Sequence, residues 1–262
     1  PGARTALISA DIGICGACKK EVFDPADRRF RYPFTNCTDC GPRFTIIRDI
    51  PYDRKSTSMA AFVQCPACQA EYDDPAHRRF HAQPNACPEC GPRLSLLING
   101  KEAAGDPLAL FDEFIVKGLT VAVKGLGGFH LACDAANEYA VSRLRQRKAR
   151  YEKPFAVMLR DAQTAGKYCA LSAQEEALLS CRRKPIVLLK KKTGVSLAAS
   201  VAPGNARLGV MLPYTPLHCL IMEAREALVL TSGNVSDRPM IYRDGDISAL
   251  TGLADAVLTH DR

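Results

Sequence analysis

Tryptophan is missing from this 262-residue sequence, and aromatic residues make up only 7% of it. Proteins that bind single-stranded nucleic acid usually stack bases on an aromatic platform, so this composition disfavours that class of function. Apolar runs of about 18 residues are also missing, and we therefore expect no transmembrane helix. The opening Pro1-Gly2-Ala3-Arg4 contains neither an initiator methionine nor a signal-peptide pattern. We expect a segment of a longer, cytoplasmic protein.

The formal net charge of +7 is concentrated in the second part of the chain. Residues 1–100 contain 13 Lys and Arg against 11 Asp and Glu, whereas residues 101–262 contain 22 against 17. Two basic clusters lie in that second part, at Arg143, Arg145, Arg147, Lys148, Arg150 and Lys153, and at Arg182, Arg183, Lys184, Lys190, Lys191 and Lys192. Such clusters suit phosphate-bearing partners, although a solvated helix face is the commoner explanation of charge alone.

Eight of the twelve cysteines form four Cys-x-x-Cys pairs. The pairs are Cys15/Cys18, Cys37/Cys40, Cys65/Cys68 and Cys87/Cys90. This pattern repeats with an offset of fifty residues, which is shared by Asp-Pro-Ala at 24 and 74, Arg-Arg-Phe at 28 and 78, and Gly-Pro-Arg at 41 and 91. Such an internal repeat predicts two copies of one small fold.

Four cysteine thiolates form the tetrahedral ligand set of structural zinc and leave no coordination position open for water or substrate. We therefore predict two structural Zn²⁺ sites, in modules 15–40 and 65–90 of a zinc-binding region that covers residues 1–100. Modules of this length are too short to bury a core unaided, so the metal must supply much of their folding free energy. Disulfides and redox-active pairs are the alternatives, and four pairs with matched gaps count against both.

The metal could join cysteine pairs within each repeat or across the two repeats. The equal gaps of eighteen residues favour closure within each repeat, since each copy could then fold alone. His77 and His81 stand where the first repeat has Asp27 and Arg31. We therefore expect surface or hydrogen-bonding roles for these histidines rather than metal ligation.

Residues 101–262 alternate short β-rich runs with helical patterns in the order β-α-β-α-β, which predicts an open, twisted α/β sheet. The predicted strands are 119–123, 155–159, 186–189 and 227–230. The predicted helices run from a cap at Asp134 to about Ala149, onward from a capping box at Ser172–Glu175, and over 215–224. The first helix should turn Tyr139, Val141 and Leu144 to its apolar side. The other cysteines, Cys133, Cys169, Cys181 and Cys219, should be buried as small hydrophobic residues.

Three stretches suggest ligand binding, and each adjoins a predicted strand. They are Lys124-Gly125-Leu126-Gly127-Gly128-Phe129-His130, the cations Lys148, Arg150 and Lys153, and Thr231-Ser232-Gly233-Asn234-Val235-Ser236-Asp237. The glycines can offer N–H groups to anionic oxygens, the cations suit a polyphosphate, and polar residues beyond a strand end are where open α/β sheets bind ligands. The alternatives are a simple turn, a complement to the helix dipole, and a polar turn.

Taken together, these residues resemble the hydrogenase maturation carbamoyltransferases, the HypF family, over nearly the whole chain. The resemblance is carried by the paired zinc modules with Asp-Pro-Ala-x-Arg-Arg-Phe and Cys-x-x-Cys-Gly-Pro-Arg, and by the stretch 72–87. Residues 101–262 resemble the family's YrdC-like domain through 124–134, Lys148-x-Arg150 with Lys153-Pro154-Phe155, 208–218 and 231–236. Related adenylate synthases carry Ser-Ala-Asn where this chain has Ser232-Gly233-Asn234.

The resemblance implies that the YrdC-like domain joins carbamate, derived from carbamoyl phosphate, to ATP and releases pyrophosphate, with Mg²⁺ expected. It implies an acylphosphatase-like domain before this segment, a transferase domain after it, and transfer of the carbamoyl group to the C-terminal cysteine of HypE. That group becomes the cyanide ligand of the [NiFe] hydrogenase iron. Family chains continue beyond Thr259-His260-Asp261-Arg262, so we expect a C-terminally truncated domain.

By the same resemblance, Lys148, Arg150 and Lys153 are the predicted catalytic residues, and they neutralise the phosphates. The predicted nucleotide or carbamate ligands are these three residues with Lys124, Gly125, Gly127, Gly128, Thr231, Ser232, Asn234 and Ser236. Two other functions stay open, a threonylcarbamoyl-adenylate synthase acting in tRNA modification and a zinc-dependent RNA-binding protein. Binding of double-stranded RNA is possible by analogy but is not expected.

Overall fold

The computed structural model describes residues 8–236 and 238–262. The chain divides into two compact units. The first contains residues 8–93 with Tyr214–Leu220 and His260–Arg262, and the second contains Leu94–Pro213 and Ile221–Thr259. The change of unit therefore lies between Arg93 and Leu94 rather than at residue 100, and two short later segments join the first unit. Within the described residues, every helix falls short of the length and apolar character that crossing a bilayer requires.

The first unit contains two copies of the same short element. Helix α1 (Gly16–Phe23) and helix α2 (Pro66–Asp73) follow Cys15 and Cys65 directly and are offset by the fifty residues of the repeat. A turn follows each helix, in which Asp24 accepts a hydrogen bond from the Ala26 N–H and Asp74 from the Ala76 N–H, at 3.0 and 2.9 Å. The buried clusters of these modules are built around the cysteines themselves. Apolar side chains such as Val22, Phe34 and Met59 are also buried in this unit.

Ten strands form one sheet among the described residues. They are β1 (Leu94–Ile98), β2 (Lys101–Glu102), β3 (Val121–Lys124), β4 (Phe129–Asp134), β5 (Ala156–Leu159), β6 (Cys169–Ala170), β7 (Val187–Lys191), β8 (Arg207–Met211), β9 (Ala227–Ser232) and β10 (Ala256–His260). Their order is β2-β1-β10-β3-β4-β9-β5-β8-β7-β6. The open α/β sheet is confirmed, and four of its strands are those predicted from the sequence.

The sheet is mixed, and its antiparallel centre brings two of the polar stretches together. Strands β3 and β10 are parallel, as are β5 and β8, whereas β4 runs antiparallel to both β3 and β9. The glycine stretch is therefore the hairpin turn between β3 and β4. Because β9 runs opposite to β4, the end of β9 lies beside the start of β4, with Ser232 opposite His130. The predicted β-α-β-α-β order missed β4, because its sequence follows the glycines without a helix.

Five further helices are α3 (Pro107–Val116), α4 (Glu138–Lys148), α5 (Ala162–Tyr168), α6 (Ala173–Ser180) and α7 (Pro216–Ile221). The capping box at Ser172 and Glu175 opens α6 as predicted. Helix α4 begins later than predicted, because Asn137 and not Asp134 caps it by accepting a hydrogen bond from the Ala140 N–H. Helix α7 is shorter than the predicted 215–224.

The buried face of α4 differs from the predicted one. Val141, Leu144, Arg145 and Lys148 are buried, whereas Tyr139 is 68% exposed, so its placement on the apolar side was wrong. Three of the four remaining cysteines are buried as predicted, and Cys181 is only partly buried. Because Arg145 and Lys148 are buried, their charged groups must find hydrogen-bond acceptors inside the protein.

We predict that Leu144→Ala destabilises the second unit strongly and that Tyr139→Ala does not. Leu144 is fully buried in the core, so its truncation should cost about 2–5 kcal/mol. Tyr139 on the same helix is exposed and should change the free energy of unfolding by at most about 0.5 kcal/mol. Urea unfolding of the zinc-loaded chain measures both, and equal losses would contradict the observed helix face.

Candidate functional site

The eight paired cysteines form two compact four-sulfur sets, Cys15/Cys18/Cys37/Cys40 and Cys65/Cys68/Cys87/Cys90. Sulfur atoms within each set lie within 4.8 Å of one another. The shorter Sγ–Sγ distances are 3.5–3.8 Å in the first set and 3.7–3.8 Å in the second. Tetrahedral zinc with Zn–S near 2.3 Å requires sulfurs about 3.8 Å apart, whereas a disulfide requires about 2.05 Å. Both sets therefore fit zinc, and closure within each repeat is confirmed.

Backbone N–H groups contact two sulfurs of the first cysteine set. Cys15 caps α1, and its sulfur accepts a hydrogen bond from the Cys18 N–H at 3.4 Å. The Cys37 sulfur accepts one from the Asp39 N–H at 3.3 Å. Peptide N–H groups aimed at the sulfurs stabilise thiolate charge. With four thiolates each, the sites have no position for a substrate and are structural.

Arginines from each repeat contact the cysteines of the other. The Arg28 guanidinium donates to Cys65 and Cys68, with its Nη2 3.4 and 3.2 Å from their Sγ atoms. The equivalent Arg78 lies with its Nη2 3.5 Å from Cys15 Sγ and 2.9 Å from Cys18 Sγ. The helix-borne cysteine pair of each repeat is therefore covered by a cation that the other repeat supplies.

The neighbouring arginines, Arg29 and Arg79, are buried and bond each repeat to the other. Arg29 and Arg79 are each only 2% exposed. Arg29 donates through Nε to the Ala86 carbonyl at 2.9 Å and pairs with Glu71 at 2.5 Å. Arg79 donates in the same way to the Asn36 carbonyl at 2.9 Å and pairs with Glu21. Each copy supplies buried charge partners to the other. This arrangement therefore does not support the expectation that each copy folds alone.

Glu71 shows how closely matched these charges are. Burial alone would raise the pKa of Glu71, but the hydrogen bond and charge of Arg29, with Arg79 and Arg28 nearby, lower it to about 2. The carboxylate is therefore ionised at neutral pH. The buried guanidinium of Arg29 would be costly without such an ionised partner.

His77 and His81 have the roles expected from the repeat. The Nδ1 atom of His77 accepts a hydrogen bond from the Arg79 N–H at 3.2 Å, as the Asp27 carboxylate does from the Arg29 N–H at 2.7 Å. The His81 ring packs against the rings of Tyr72 and Phe80. Neither histidine belongs to a four-sulfur set.

The glycine stretch forms a tight turn beside an ion pair between buried Lys124 and exposed Asp244. The Gly125 N–H donates to the Gly128 carbonyl at 2.9 Å, and Gly127 and Gly128 have φ values of 76° and 153°. A Cβ atom on Gly128 would lie 2.7 Å from the Met240 side chain, so this position admits only glycine. Lys124 ends β3 and pairs with Asp244 at 2.7 Å.

The stretch after β9 is bonded directly to the start of β4. The Gly233 N–H donates to the Phe129 carbonyl at 2.7 Å. A Cβ atom on Gly233 would lie 2.7 Å from that same oxygen, so the backbone here leaves no room for an alanine side chain. The Ser232 hydroxyl donates to Asn234 Oδ1 at 2.5 Å, and the Asn234 amide donates to the Arg238 carbonyl. Thr231 lies within β9 and is buried. Asp237 lies outside the described residues.

Lys148, in the second stretch, makes hydrogen bonds to the third stretch, the loop after β9. Its Nζ donates to the carbonyl oxygens of Ser232 and Asn234 at 2.5 and 2.6 Å and to Asn234 Oδ1 at 3.0 Å. The Lys148 carbonyl in turn accepts from the Ser236 N–H at 3.0 Å. These three acceptors match the three N–H groups of an ammonium. Lys148 therefore holds the loop 232–236 through its ammonium group.

Lys148, His130 and the loop 232–236 are together called the loop cluster below. Burial shifts the pKa values of Lys148 and His130 in this cluster. Burial lowers the pKa of Lys148 to about 8, and the positive charge of Arg150 adds to the effect. Burial, followed by the charge of Lys148, lowers the pKa of His130 to about 4, so this ring is neutral at pH 7. Within residues 8–236 and 238–262, the buried His130 Nδ1 and Ser236 Oγ have no hydrogen-bond partner. Buried polar atoms of this kind mark places that a polar ligand can satisfy.

Arg150 and Lys153 lie on the loop between α4 and β5. The Arg150 guanidinium donates to the Pro154 carbonyl at 2.8 Å and lies 5.4 Å from the Phe155 ring centroid. The Lys153 side chain is exposed, and its carbonyl accepts from Arg150 at 3.2 Å. Of the three predicted catalytic cations, the structure thus places Lys148 against the loop 232–236, whereas Arg150 and Lys153 lie on the loop that follows α4.

Arg145, which the sequence analysis placed in a basic cluster without a role of its own, is buried and holds the loop after α4. Its guanidinium donates to the carbonyls of Arg150 and Lys153 at 2.7 and 3.1 Å and to that of Val201 at 3.1 Å. Arg145 therefore holds the loop that carries Arg150 and Lys153. The signal was available, because position 145 lies four residues after Val141 on the apolar face of α4. His130 was also missed as a separate contributor, although the glycine stretch contains it.

Two family models match the chain. The Sua5/YciO/YrdC model, described as telomere recombination, matches residues 113–262. The HypF finger model matches residues 14–47 and 65–97. The two matches together cover both cysteine sets and the three polar stretches.

Curated relatives match almost the whole chain. Carbamoyltransferase HypF2 of Cupriavidus necator is 52% identical over 97% of this chain, and carbamoyltransferase HypF of a Synechocystis strain is 49% identical over 100% of it. The chain spans about a third of the length of these relatives, 34% and 35%.

Solved structures show the same fold. A full-length HypF in a phosphate- and nucleotide-bound form has 51% identity and a TM-score of 0.93, covering 97% of this chain and 34% of that one. HypF of T. kodakarensis has 45% identity and a TM-score of 0.95, covering 98% and 34%. P. abyssi Sua5, at 18% identity and a TM-score of 0.51, covers 57% of this chain and 47% of that one and shows likeness of fold alone.

We predict two zinc ions per chain, each bound by four sulfurs. The sulfur distances in both sets fit this coordination. Elemental analysis should return two zinc ions per chain, and X-ray absorption should show four sulfur neighbours near about 2.3 Å. One zinc per chain, or nitrogen and oxygen among the neighbours, would contradict the assignment.

Proposed function

Because the chain belongs to the HypF family of carbamoyltransferases, we propose that it is the zinc-finger and YrdC-like segment of such an enzyme. In this proposal the sheet unit binds ATP and carbamate and forms carbamoyl-adenylate, in the cytoplasm. The observation that carries the proposal is a chain of contacts that links the three polar stretches: the Lys148 ammonium donates to the carbonyls of Ser232 and Asn234, and the Gly233 N–H of the same loop donates to the Phe129 carbonyl of the glycine stretch. Open α/β sheets bind ligands at loops of this kind.

The proposed reaction is an adenylyl transfer. A carbamate oxygen attacks the α-phosphorus of ATP, the bond from that phosphorus to the β-phosphate bridging oxygen breaks, and pyrophosphate leaves with the electron pair. The group transferred is the AMP moiety, so the products are carbamoyl-adenylate and pyrophosphate. Such a reaction needs donors and cations placed where phosphate charge develops.

The loop cluster can supply such donors. The Lys148 ammonium holds the backbone of 232–236 and brings a positive charge into a site that little water reaches, where its effect is strong. The hydroxyls of Ser232 and Ser236 and the amide of Asn234 offer hydrogen bonds to a nucleotide. Arg150, anchored on the loop that Arg145 fixes, can extend over its phosphates.

Lys124 and the glycine turn suit the carbamate or a phosphate. Gly127 is exposed and Gly125 is partly exposed, so this part of the turn offers backbone without side chains, and the nearby Lys124 gives the site a second cation. Neutral His130 lies opposite Ser232 between this turn and the third stretch. A neutral imidazole can donate or accept a hydrogen bond without adding charge.

Magnesium would accompany the nucleotide phosphates. Mg²⁺ is usually held by one or two carboxylates together with substrate phosphates. Asp244, which pairs with Lys124, offers a half-exposed carboxylate beside the glycine turn. The described residues hold no group of three or more acidic side chains that could bind a metal, which agrees with a metal that arrives with ATP.

The wider assembly follows from the family and is part of the proposal. In it, an acylphosphatase-like domain supplies carbamate from carbamoyl phosphate, and a transferase domain passes the carbamoyl group to the C-terminal cysteine of HypE. The zinc modules have a structural role in this scheme, since their metals have no free coordination position.

The two other functions have less support. The relatives that are about half identical match both units, whereas the likeness to Sua5 covers only 57% of the chain. For RNA binding, the first basic cluster is largely used inside the protein. Arg143 and Arg147 pair with Asp255 at 2.5 and 2.7 Å, and Arg145 and Lys148 donate to backbone carbonyls. An RNA filter-binding assay with competing ATP separates these functions.

We predict that Lys148→Met weakens ATP binding and removes its pH dependence. Loss of the buried charge and of the loop contacts should cost about 1.5–3 kcal/mol, or about a 10- to 150-fold loss of affinity. Lys148 has a pKa of about 8 and loses its proton as the pH rises through that value. Affinity in the unaltered chain should therefore fall from pH 7 to 9, while the variant should show little change.

The matched control is Lys190→Met, which changes an exposed lysine on β7. Calorimetry should give it the affinity and the pH dependence of the unaltered chain. Arg150→Ala should also weaken ATP binding by about 10- to 150-fold through loss of a charge-assisted contact. Normal binding by both Lys148→Met and Arg150→Ala would remove this loop cluster from the nucleotide site.

A further prediction separates structural zinc from chemistry. In the intact enzyme, Cys65→Ser should lower overall transfer from carbamoyl phosphate but spare carbamate- and ATP-dependent pyrophosphate exchange. The reason is that all reacting groups lie in the sheet unit, while carbamate, which is unstable in water, must be delivered from another domain. Both activities should be measured on the same preparation. If exchange falls as far as overall transfer, the zinc modules are part of the adenylating site or its stability.

A further inference from the structure

We propose that the two zinc sites are thermodynamically coupled, so that loading one strengthens zinc binding at the other. The coupling is carried by Arg28 and Arg78, each of which belongs to one repeat and donates to the sulfurs of the other. The zinc sites themselves are those of the family. The inference concerns how this chain's arginines link them.

The first step is the charge at each site. Zinc with four thiolates carries a formal charge of −2, which is hard to place in a partly buried position. The Arg28 guanidinium lies 3.2 Å from Cys68 Sγ, and that of Arg78 lies 2.9 Å from Cys18 Sγ. Both cysteines are fully buried. Partners of metal ligands at such distances typically change metal affinity by about 10- to 100-fold.

The second step is that each arginine depends on the metal of its own repeat. Arg28 follows α1, a helix of eight residues that is too short to be stable alone. That helix begins at Cys15, and the turn after it is held by the Asp24 and Asp27 carboxylates. Without zinc at the first site, the helix and turn lose the anchor that positions Arg28.

The third step is that the arrangement is reciprocal. Arg78 follows α2 in the same way, with the turn at Asp74 and His77. Buried Arg29 and Arg79 lock the two turns through Glu71 and Glu21. Loss of either metal therefore releases a cation from the other site. Because coupling between two ligands must be equal in both directions, each zinc should favour the other.

Native mass spectrometry during stepwise removal of zinc by a chelator tests the coupling. Two equal, independent sites give about half of the chains one zinc at the midpoint. Coupling of about 10- to 100-fold should reduce that species to a minority, with two-zinc and zinc-free chains dominating. A one-zinc species at or above about half would overturn the proposal.

Single-arginine variants test the contact without removing a cysteine. With ¹¹³Cd in place of zinc, each site gives its own NMR signal, which cysteine Hβ correlations assign. Arg28→Gln should move the signal of the 65–90 site, and Arg78→Gln that of the 15–40 site. Each variant should also lower the affinity of the site it contacts by about 10-fold or more.

The matched control is Arg48→Gln, an exposed arginine of the same unit. It should move neither signal and leave both affinities unchanged. Arg28→Lys, which keeps the charge, should recover part of the lost affinity. If Arg28→Gln moves only the signal of its own 15–40 site, or moves both signals equally, the arginine acts through folding and the cross-repeat contact is not the link.

Discussion

Thiolate charge is the constraint on which the first unit depends. Two four-cysteine sets place eight sulfurs in short modules, so folding depends on the metals and on the groups that neutralise the thiolate charge. The chain meets this need by exchange. Arg28 and Arg78 each cover the sulfurs of the opposite repeat, and Arg29 and Arg79 are buried between them on Glu71 and Glu21. Repetition of a short motif thereby yields one interlocked unit rather than two small ones.

The same physical need, a buried cation seeking acceptors, organises the second unit. Lys148 lies on the core face of α4 and donates three hydrogen bonds to the loop after β9. Arg145, one turn earlier, holds the loop that carries Arg150. Both side chains act on backbone carbonyls. The proposed nucleotide site is thus a set of loops held by buried cations. The outer surface of these loops is left for phosphates.

Much of this was predictable from the sequence. Matched cysteine gaps identified both metal sites and their closure, and the Ser172 capping box located α6. The glycine stretch and the stretch after β9 meet because β4 and β9 are antiparallel neighbours, a pairing that no local pattern encodes. Tyr139 was misplaced because an aromatic residue suggested an apolar face, and Arg145 was overlooked because a cation suggested a solvated one. The arginine exchange depends on how the two repeats pack, which the repeat alone does not specify.

A crystal structure of the zinc-loaded chain tests the central claim, that each metal site is completed by the other repeat, most directly. The account predicts one zinc within Cys15/Cys18/Cys37/Cys40 and one within Cys65/Cys68/Cys87/Cys90. It also predicts the Arg28 guanidinium within hydrogen-bonding distance of Cys68 Sγ and that of Arg78 within the same distance of Cys18 Sγ. Zinc bound by cysteines from both repeats, or both guanidinium groups turned to solvent, would contradict it.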